Sequence, residues 1–443
     1  MKQGRRDQLD QSVANGQANK LLVEDRAFHD WYRFVLSFPP HLVRDYLKRF
    51  GIHSGQRVLD PFCGTGTTVV ECKKQGVAAI GVEANPFARF AAQVKVDWQP
   101  NPDGLLDHAH RVAEAVLVEL ERAGFYDDPL ASMRPVVPDR EKRLRTLSPE
   151  RNELLLAGSI SPIPLHKTLA LIDQLERDRD AGYHPHEMLA LANAVVFSIS
   201  NLHFGPEVGV GKPKSDALVV PTWLAEVKKM ADDLRRVAGR PSPDVEVHLA
   251  DARSPADLVP RESIDAVITS PPYPNEKDYT RTTRLESVLL GFIRDKGELR
   301  QVKKMMVRSN TRGVYTGDND DRWVANHPEI QRLAAAIEQR RIEMGKNSGF
   351  ERMYGRVTRL YFGGMARHLD GLRRVLRPGA CLAYVVGDQA SYLRVMIRTG
   401  ELLADIAHAL GYQVEGIDLF RTRFATGTKE LLREEVVILR WPG

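Results

Sequence analysis

Residues 270–273, Ser-Pro-Pro-Tyr, combine side chains that could carry out chemistry on an amine. The Ser270 hydroxyl and the Pro271 carbonyl are hydrogen-bond acceptors, and the two prolines stiffen the loop that presents them. Acceptors near an amine that is conjugated to a ring favour tetrahedral nitrogen and so expose its lone pair. Tyr273 offers an aromatic face on which a planar ring could stack. The string therefore predicts a site that binds and activates an amino group on an aromatic ring, with Ser270, Pro271, Pro272 and Tyr273 as its catalytic residues.

The structural alternative for this string is a surface turn or a proline-rich ligand for another protein. However, residues 264–268 form an apolar run that predicts a buried strand directly before it. In open α/β sheets, ligands bind beyond the carboxyl ends of the strands. The position after a strand therefore favours the chemical interpretation.

A second group of candidate residues follows an earlier predicted strand. Asp60 comes directly after an apolar pair, and Gly64 and Gly66 lie between it and a predicted helix. A glycine-rich turn at this place lets the backbone approach a bound ligand closely. A lone Gly-x-Gly is also compatible with a simple tight turn, so it is weak by itself.

Two further acids strengthen the prediction of a cofactor site. Glu83 ends the next predicted strand, where a carboxylate can bind the two hydroxyls of a ribose. Asp251 ends a third strand and could accept a hydrogen bond from an adenine amino group. Each acid alone could equally be a helix cap or a loop residue. A nicotinamide dehydrogenase would carry a third glycine, which the sequence Gly-Thr-Gly-Thr-Thr-Val at 64–69 lacks.

The elements that must position these residues alternate between strand and helix patterns. Strand patterns occur near residues 57–60, 77–83, 245–250, 264–269 and 380–388, with helical patterns between them. Residues 412–420 and 434–441 resemble two strands of an antiparallel hairpin. We therefore predict an α/β protein with a doubly wound, mostly parallel sheet, in which long insertions follow the second and fourth strands.

Composition limits the class of protein. The chain of 443 residues is 43% hydrophobic and 27% charged, which suits a globular core with large insertions or a second domain. Its first twenty residues are polar, and no apolar run approaches the ~20 residues that span a bilayer. Cys63, Cys72 and Cys381 form neither a disulfide framework nor a metal cluster, so we expect a cytoplasmic location, no metal and no membrane. The formal charge of +5 is compatible with a polyanionic partner.

These motifs resemble the amino-methyltransferase family, which modifies exocyclic amines of DNA bases with S-adenosylmethionine. Asp-Pro-Phe-Cys-Gly-Thr-Gly at 60–66 looks like the family's cofactor loop, the segment around Glu83 looks like its ribose-binding segment, and residues 36–51 are similar to its helix over the methionine end. The resemblance implies a seven-stranded, Rossmann-like methyltransferase sheet. The cofactor-binding residues predicted from the resemblance and the strand ends are Ser37, Phe38, Pro39, Asp60, Pro61, Phe62, Gly64, Gly66, Thr67, Glu83, Ala84, Asn85, Asp251 and Ala252.

The resemblance also implies a reaction. Ser-Pro-Pro-Tyr is commoner among the family's cytosine-N4 enzymes, so we expect transfer of a methyl group to cytosine N4 of a base flipped out of DNA. Adenine N6 is the alternative, followed by an RNA methyltransferase and by a catalytically silent nucleic-acid-binding relative. Methylation at a ring carbon is disfavoured, because no cysteine occupies the place of the nucleophile. We expect double-stranded DNA as partner, and a restriction or defence system as a further one.

Two insertions compete as the region that reads the DNA. The first ends in a Gly/Lys-rich stretch at 201–223 that we predict to be flexible, and we interpret its His203 and Glu207 as loop structure. The second carries basic residues directly after the catalytic loop, which suits phosphate contacts, with Tyr279 or Tyr315 available for stacking. A solvated helical face is the alternative for such a charge run. The predicted DNA-binding residues are Arg281, Arg284, Lys303, Lys304, Arg308 and Arg312.

The organisation that follows has six parts. They are a flexible N-terminal tail (1–27), a cofactor-binding half of the core (28–99), a mainly helical insertion (100–240), a core segment with the catalytic loop (241–276), a basic insertion as candidate DNA-recognition region (277–361) and the C-terminal part of the core (362–443).

Overall fold

The computed structural model describes residues 21–34, 37–130, 133, 140–205, 207–275, 277–425 and 430–443. Residues 1–20 of the predicted flexible tail lie outside this part of the chain. Asp25, near the end of the predicted tail, is buried and forms an ion pair with Arg44 at 2.7 Å. The folded core therefore begins before residue 28, which corrects the predicted boundary.

A seven-stranded sheet forms the centre of the described residues. In chain order the strands are β1 (Arg57–Asp60), β2 (Ala78–Glu83), β3 (Leu202–Phe204), β4 (Val208–Val210), β5 (Val245–Leu249), β6 (Ile264–Thr269), β7 (Leu376–Gly387), β8 (Gln413–Ala425) and β9 (Glu430–Arg440). The central sheet has the order β5-β2-β1-β6-β7-β9-β8, and β3 and β4 form a separate two-stranded sheet. The first five strands of that order are parallel, whereas β9 pairs antiparallel with both β7 and β8. The predicted fold class is confirmed.

Alternation of side chains along the strands separates two apolar layers. Val58 packs into the layer on one face of the sheet, and Leu59 packs into the layer on the other. The same alternation divides Val267 from its neighbours Ala266 and Ile268. Strands that are buried on both faces read as continuous apolar runs, which is why the parallel strands could be recognised in the sequence.

Helices cover both faces of the sheet. In the described residues, the helices of eight residues or more are α1 (Pro40–Arg49), α2 (Thr67–Lys74), α3 (Pro86–Val96), α4 (Pro102–Arg122), α5 (Pro162–Arg177), α6 (His184–Ala194), α7 (Val220–Val237), α8 (Lys296–Met305), α9 (Pro328–Glu343), α10 (Tyr354–Leu372) and α11 (Thr399–Ala409). Helices α1 to α7 contribute to the layer that contains Val58, and α9 to α11 contribute to the layer that contains Leu59. None of the described helices is long and apolar enough to cross a membrane.

Both predicted insertions occur where the sequence places them. The first, between β2 and β5, contains α4 to α7 and also the small sheet β3–β4, which replaces the predicted flexible stretch at 201–223. The second, between β6 and β7, contains the short helices Tyr279–Thr282 and Arg284–Leu289, followed by α8, α9 and α10. The stretch that looked flexible is therefore partly ordered by strand pairing.

The C-terminal hairpin is longer than the sequence predicts. Its strands extend to Ala425 and from Glu430, whereas the predicted strands end at 420 and begin at 434. Pairing of β7 with β9 ends at Gly387 opposite Glu434, but β8 and β9 continue to pair as far as Ala425 opposite Glu430. We call residues 422–425 and 430–433 the hairpin arm.

Candidate active site

A cavity of about 640 Å³ lies at the carboxyl ends of β1, β2 and β6. This volume is within the ~300–1,000 Å³ that is usual for small-molecule sites. All four predicted catalytic residues line it, from Ser270 to Tyr273. The predicted cofactor-binding residues that line it are Ser37, Phe38, Pro61, Phe62, Gly64, Thr67, Glu83, Ala84, Asn85 and Ala252. The structure therefore brings the two predicted groups of residues to one site.

The glycine loop between β1 and α2 forms the floor of this cavity. Gly66 has a φ of +90°, and a Cβ built on it would lie 3.0 Å from the Ala92 Cβ of α3. A residue with a side chain would thus be strained there and would push α3 away. Gly64 donates its backbone N–H to Glu83 Oε2 at 2.8 Å, and a Cβ built on it would meet nothing within 4 Å. No side chain therefore covers the backbone of Gly64 where it faces the cavity.

Glu83 holds the loop and the start of α3 together. Its Oε1 accepts a hydrogen bond from the Asn85 backbone N–H at 2.7 Å. Burial raises the pKa of the Glu83 carboxyl to about 7, against the hydrogen bonds from Asn85 and Gly64, which lower it. A carboxylate at the end of β2 is thus placed in the cavity wall with a pKa near neutrality.

Asp60 joins the cofactor loop to the catalytic strand. Thr269 Oγ donates to Asp60 Oδ1 at 2.6 Å, and the Phe62 backbone N–H donates to the same oxygen at 3.2 Å. Asp60 is fully buried, and its burial raises the pKa of the carboxyl to about 6. It is not among the residues that line the cavity, so its observed role is to fix the two loops relative to each other.

Asp251 does not line the cavity, although the sequence predicts it to be a cofactor-binding acid. Its Oδ1 accepts hydrogen bonds from the backbone N–H and the Nε of Arg253, both at 2.9 Å, and its Oδ2 accepts from Arg253 Nη2 at 2.6 Å. The carboxylate is therefore neutralised by Arg253 and is absent from the cavity wall, which its neighbour Ala252 lines instead. The sequence does not show this pairing, because Arg253 looks like an ordinary loop residue.

Pro39 and Asn85 have roles in starting helices. Pro39 is the N-cap of α1 and does not line the cavity. The Asn85 side chain caps α3 by accepting hydrogen bonds from Phe87 and Ala88, and its Nδ2 donates to Thr283 Oγ at 2.9 Å. Its side-chain groups are thus engaged, and only its position beside Glu83 brings it to the cavity.

Two buried residues that sequence reasoning missed support the site from below. Lys95 Nζ donates to the carbonyl of Thr65 in the glycine loop at 2.7 Å, and burial lowers its pKa to about 7. His368 lies between the Ala252 carbonyl and the Tyr384 hydroxyl, at 2.6 Å and 2.7 Å. Burial lowers the pKa of His368 to about 4, so the ring is neutral, donating to Ala252 and accepting from Tyr384.

The catalytic loop is held by the neighbouring strand β7. Ser270 Oγ donates to the Val385 carbonyl at 3.0 Å, which leaves its lone pairs as acceptors. Tyr273 lies against Gly387, where an added Cβ would be 2.9 Å from Tyr273 Cε2. Glycine at 387 is therefore required for the tyrosine to occupy this position.

The remaining wall comes from segments that the sequence does not single out. The C-terminal hairpin contributes Phe420, Arg421, Arg423, Leu432 and Glu434. Arg421 and Glu434 form a two-point ion pair at 2.6 and 2.9 Å. Glu207, between β3 and β4, also lines the cavity, although we interpret it from the sequence as loop structure. Such residues are found only once tertiary contacts are known.

Comparison with known proteins gives the same assignment as the motifs. A family model of DNA methylases that modify N6 or N4 matches residues 12–93. The Type II methyltransferase M.BsoBI of Geobacillus stearothermophilus is 24% identical over 98% of this chain and 87% of its own. The Type II methyltransferase M.AvaI of Anabaena variabilis is 23% identical over 98% of this chain and 90% of its own.

These similarities, which extend over nearly the whole chain, support the DNA amino-methyltransferase family. Among solved structures, TrmN from Thermus thermophilus matches 94% of this chain and 52% of that chain with 12% identity and a TM-score of 0.30, a value too low to add to the assignment. The fold is instead defined by the strand order described above.

The similarity to methyltransferases implies S-adenosylmethionine as the methyl donor of this chain, and the cavity fits that molecule. The bare backbone at Gly64 permits close approach of a ligand, and the Glu83 carboxylate can accept hydrogen bonds from ribose hydroxyls. Phe38 and Phe62 add apolar wall. Within the described residues, no three His, Cys, Asp or Glu side chains are grouped closely enough to hold a metal ion.

The predicted DNA-binding residues of this methyltransferase divide into two groups. Arg308 is buried, and all five of its N–H groups are used by the Asp318 carboxylate and by the carbonyls of Lys303, Lys304 and Met306. The prediction that Arg308 contacts phosphate is wrong, because it has no donor left. Lys304 and Arg312, in contrast, are exposed.

The other three predicted residues are already paired. Lys303 Nζ forms an ion pair with Asp278 at 2.7 Å, and Arg284 donates to the carbonyls of Thr280 and Leu154. Arg281 lies 3.9 Å from Glu207, so it faces the first insertion. Four of the six predicted residues, Arg281, Arg284, Lys303 and Arg308, are therefore engaged by other groups of the protein.

Proposed function

We propose that this DNA methyltransferase is site-specific and acts on the exocyclic N4 amino group of a cytosine flipped out of duplex DNA. The observation that carries the proposal is that Ser270–Tyr273 and Glu83 line a single cavity. A base inside a duplex cannot enter such a cavity unless it leaves the base stack.

The residues of the catalytic loop can activate the amine. Bound S-adenosylmethionine supplies a methyl group on a positively charged sulfur. Ser270 Oγ, whose proton is directed to Val385, and the Pro271 carbonyl accept hydrogen bonds from the amine hydrogens, so that the nitrogen lone pair is free to form the new N–C bond. The S–C bond of the donor would break as the N–C bond forms, leaving a neutral thioether, and the nitrogen would then release one proton to solvent. The loop thus accelerates transfer mainly by holding the amine in the correct geometry.

The cysteines argue against methylation at a ring carbon. Cys63 lines the cavity, but burial raises the pKa of its thiol well above the usual range. Its sulfur also fills the space beside Gly81, where an added Cβ would lie 2.7 Å from Cys63 Sγ. The nucleophilic thiolate that carbon methylation requires is therefore disfavoured.

The relatives support a modification enzyme with a defined recognition sequence. Both are named Type II methyltransferases and align with nearly the whole of this chain. A cognate nuclease would accordingly be its partner. Of the six predicted DNA-binding residues, Lys304 and Arg312, in the insertion that follows the catalytic loop, are exposed and remain available for phosphate.

The proposal is tested by separating cofactor binding from methyl transfer. Ser270→Ala and Tyr273→Ala should bind the cofactor product S-adenosylhomocysteine like the wild type in isothermal titration, but lose about 100-fold or more of methyl transfer, because they remove positioning of the amine. Ser263→Ala is the matched control, because Ser263 bonds to the Pro260 carbonyl away from the cavity. Full activity in both loop variants would remove them from the reaction.

A further inference from the structure

The hairpin arm projects beyond the sheet at the edge that carries the active site. Four cross-strand pairs, from Thr422–Arg433 to Ala425–Glu430, lie beyond the last residue of β7 that pairs with β9. At about 3.3 Å per residue, the arm reaches roughly 13 Å past β7. Because β8 runs in the same direction as β7 and β6, this end of the hairpin is at the carboxyl edge of the sheet.

The two faces of the arm have different surroundings. Arg423 and Leu432 pair across the strands and line the cavity, as does the pair of Arg421 and Glu434 two positions earlier. Successive side chains on a strand point to opposite faces, so Phe424 and Leu431 lie on the face away from the cavity. These two residues are also a cross-strand pair, with Phe424 63% and Leu431 57% exposed.

An exposed apolar pair on a projecting two-stranded ribbon points to a partner that covers it. Two side chains are too few for a stable contact between two copies of this chain, since stable protein interfaces bury about 1,200 Å² or more. A two-stranded ribbon is, however, narrow enough to enter a groove of DNA. Apolar side chains that enter DNA in this way separate neighbouring bases.

The charges of the arm and the mouth of the cavity suit the same partner. The described part of the arm carries Arg423 and Arg433 against a single acid, Glu430. Arg433 is paired with Asp388 at 3.0 Å, and Arg423, whose Nε lies 3.8 Å from Glu434 Oε1, is exposed beside the cavity. Lys277 and Arg394 add positive charge to the cavity wall.

We propose that the hairpin arm is a wedge that enters duplex DNA beside the target base, with Phe424 and Leu431 occupying the space that the extruded base leaves. The face of the arm that lines the cavity then borders the extruded base. The opposite face, which carries Phe424 and Leu431, contacts the bases that stay stacked in the duplex. This inference rests on the proposed function, because it needs a base to be extruded from a duplex.

The test compares Phe424→Ala/Leu431→Ala with the wild type on two DNA duplexes. Both carry the site at which the wild-type chain methylates DNA of cells that express it, and in one of them the target base is mismatched. Ile342→Ala is the control, because Ile342 is 58% exposed at the end of α9 and does not line the cavity. Cofactor titration verifies that each variant is folded.

The double variant should methylate the matched duplex at least 10-fold more slowly than the wild type. On the mismatched duplex the loss should be less than threefold, because an unpaired base leaves the stack without help. An equal loss on both duplexes, or no loss on either, would overturn the wedge. A changed oligomeric state in light scattering would assign the pair to contacts between copies and overturn it as well. If the DNA of cells that express the wild-type chain carried no methylated exocyclic amine, the proposed function would fail together with this inference.

Discussion

Glu83 links the structure most directly to the binding of the cofactor. Its carboxyl, with a pKa raised to about 7 by burial, lies between the glycine loop and α3. Ribose hydroxyls donate hydrogen bonds, so they bind the ionised carboxylate better than the protonated acid. Binding should therefore lower the pKa of Glu83, and the affinity for the cofactor should fall as the pH falls below about 7.

The direction of this pH dependence can be measured by titrating the protein with S-adenosylhomocysteine between pH 6 and pH 8. The wild type should bind more tightly as the pH rises and reach a plateau above pH 7, because a proton no longer has to leave Glu83. Glu83→Gln should bind about 10- to 100-fold more weakly, from the loss of charge-assisted hydrogen bonds at about 1.5–3 kcal/mol, and without this pH dependence. Asp60, whose pKa is near 6, is retained in that variant and serves as an internal control. Equal affinity across the range in the wild type would contradict the role of Glu83.

Alanine substitutions at the two glycines of the cofactor loop should distinguish an effect on stability from an effect on cofactor binding. Gly66→Ala combines a positive φ with an approach of 3.0 Å to Ala92, so it should destabilise the protein by about 1–3 kcal/mol in urea unfolding. Gly64→Ala also has a positive φ, but its Cβ meets nothing within 4 Å. The backbone strain alone should cost about 1–2 kcal/mol of stability, and the new methyl group in the cavity should weaken cofactor binding at least 10-fold. Equal effects of the two substitutions on binding and stability would refute the distinction.

Several site residues could be predicted from sequence because their roles depend on the backbone at strand ends. Gly64, Glu83 and Ser270 are of this kind, since their places follow from recognising β1, β2 and β6. Asp251 and Arg308 could not be predicted correctly, because each is neutralised by a charge whose proximity depends on loop folding. Arg253 turns back on Asp251, and Asp318 reaches Arg308 across a turn.

At the scale of elements, the basic insertion should contain two kinds of positive charge. Lys304→Ala and Arg312→Ala should leave stability unchanged and reduce the salt dependence of DNA binding by about one unit of slope each, because exposed cations release counterions from phosphate. Arg308→Ala should instead destabilise the fold by about 3–5 kcal/mol, since it leaves the Asp318 carboxylate without its partner. DNA titrations at several salt concentrations, together with unfolding, measure both. An unchanged salt slope for Lys304→Ala and Arg312→Ala would move DNA binding to the first insertion.

The C-terminal hairpin shows why element boundaries were harder to predict than elements. Its apolar residues at the sheet, such as Val436, Val437 and Ile438, give a clear strand pattern. Beyond Phe420 the strand alternates Arg421, Thr422 and Arg423, which lack that pattern. These arginines face a cavity rather than an apolar core, so hydrophobic periodicity could not reveal that the strands continue.

At the scale of the whole molecule, the doubly wound sheet could be predicted and the walls of the cavity could not. Alternating strands and helices allow few topologies, and the doubly wound sheet is the one observed. The cavity, however, also draws on Glu207 from the first insertion, Met305 from the second and Glu434 from the C-terminal hairpin. Such distant segments meet only through packing, which neither composition nor spacing records.

The central claim is that this cavity transfers a methyl group to an exocyclic amine of a DNA base. It is tested most directly by digesting DNA that the wild-type chain has methylated and identifying the modified nucleoside by mass spectrometry. We predict N4-methylcytosine, present with the wild type and absent with Ser270→Ala. N6-methyladenine would change the base while keeping the chemistry. Finding 5-methylcytosine would contradict the account, because the cavity would then have to supply a nucleophile that the catalytic loop does not contain.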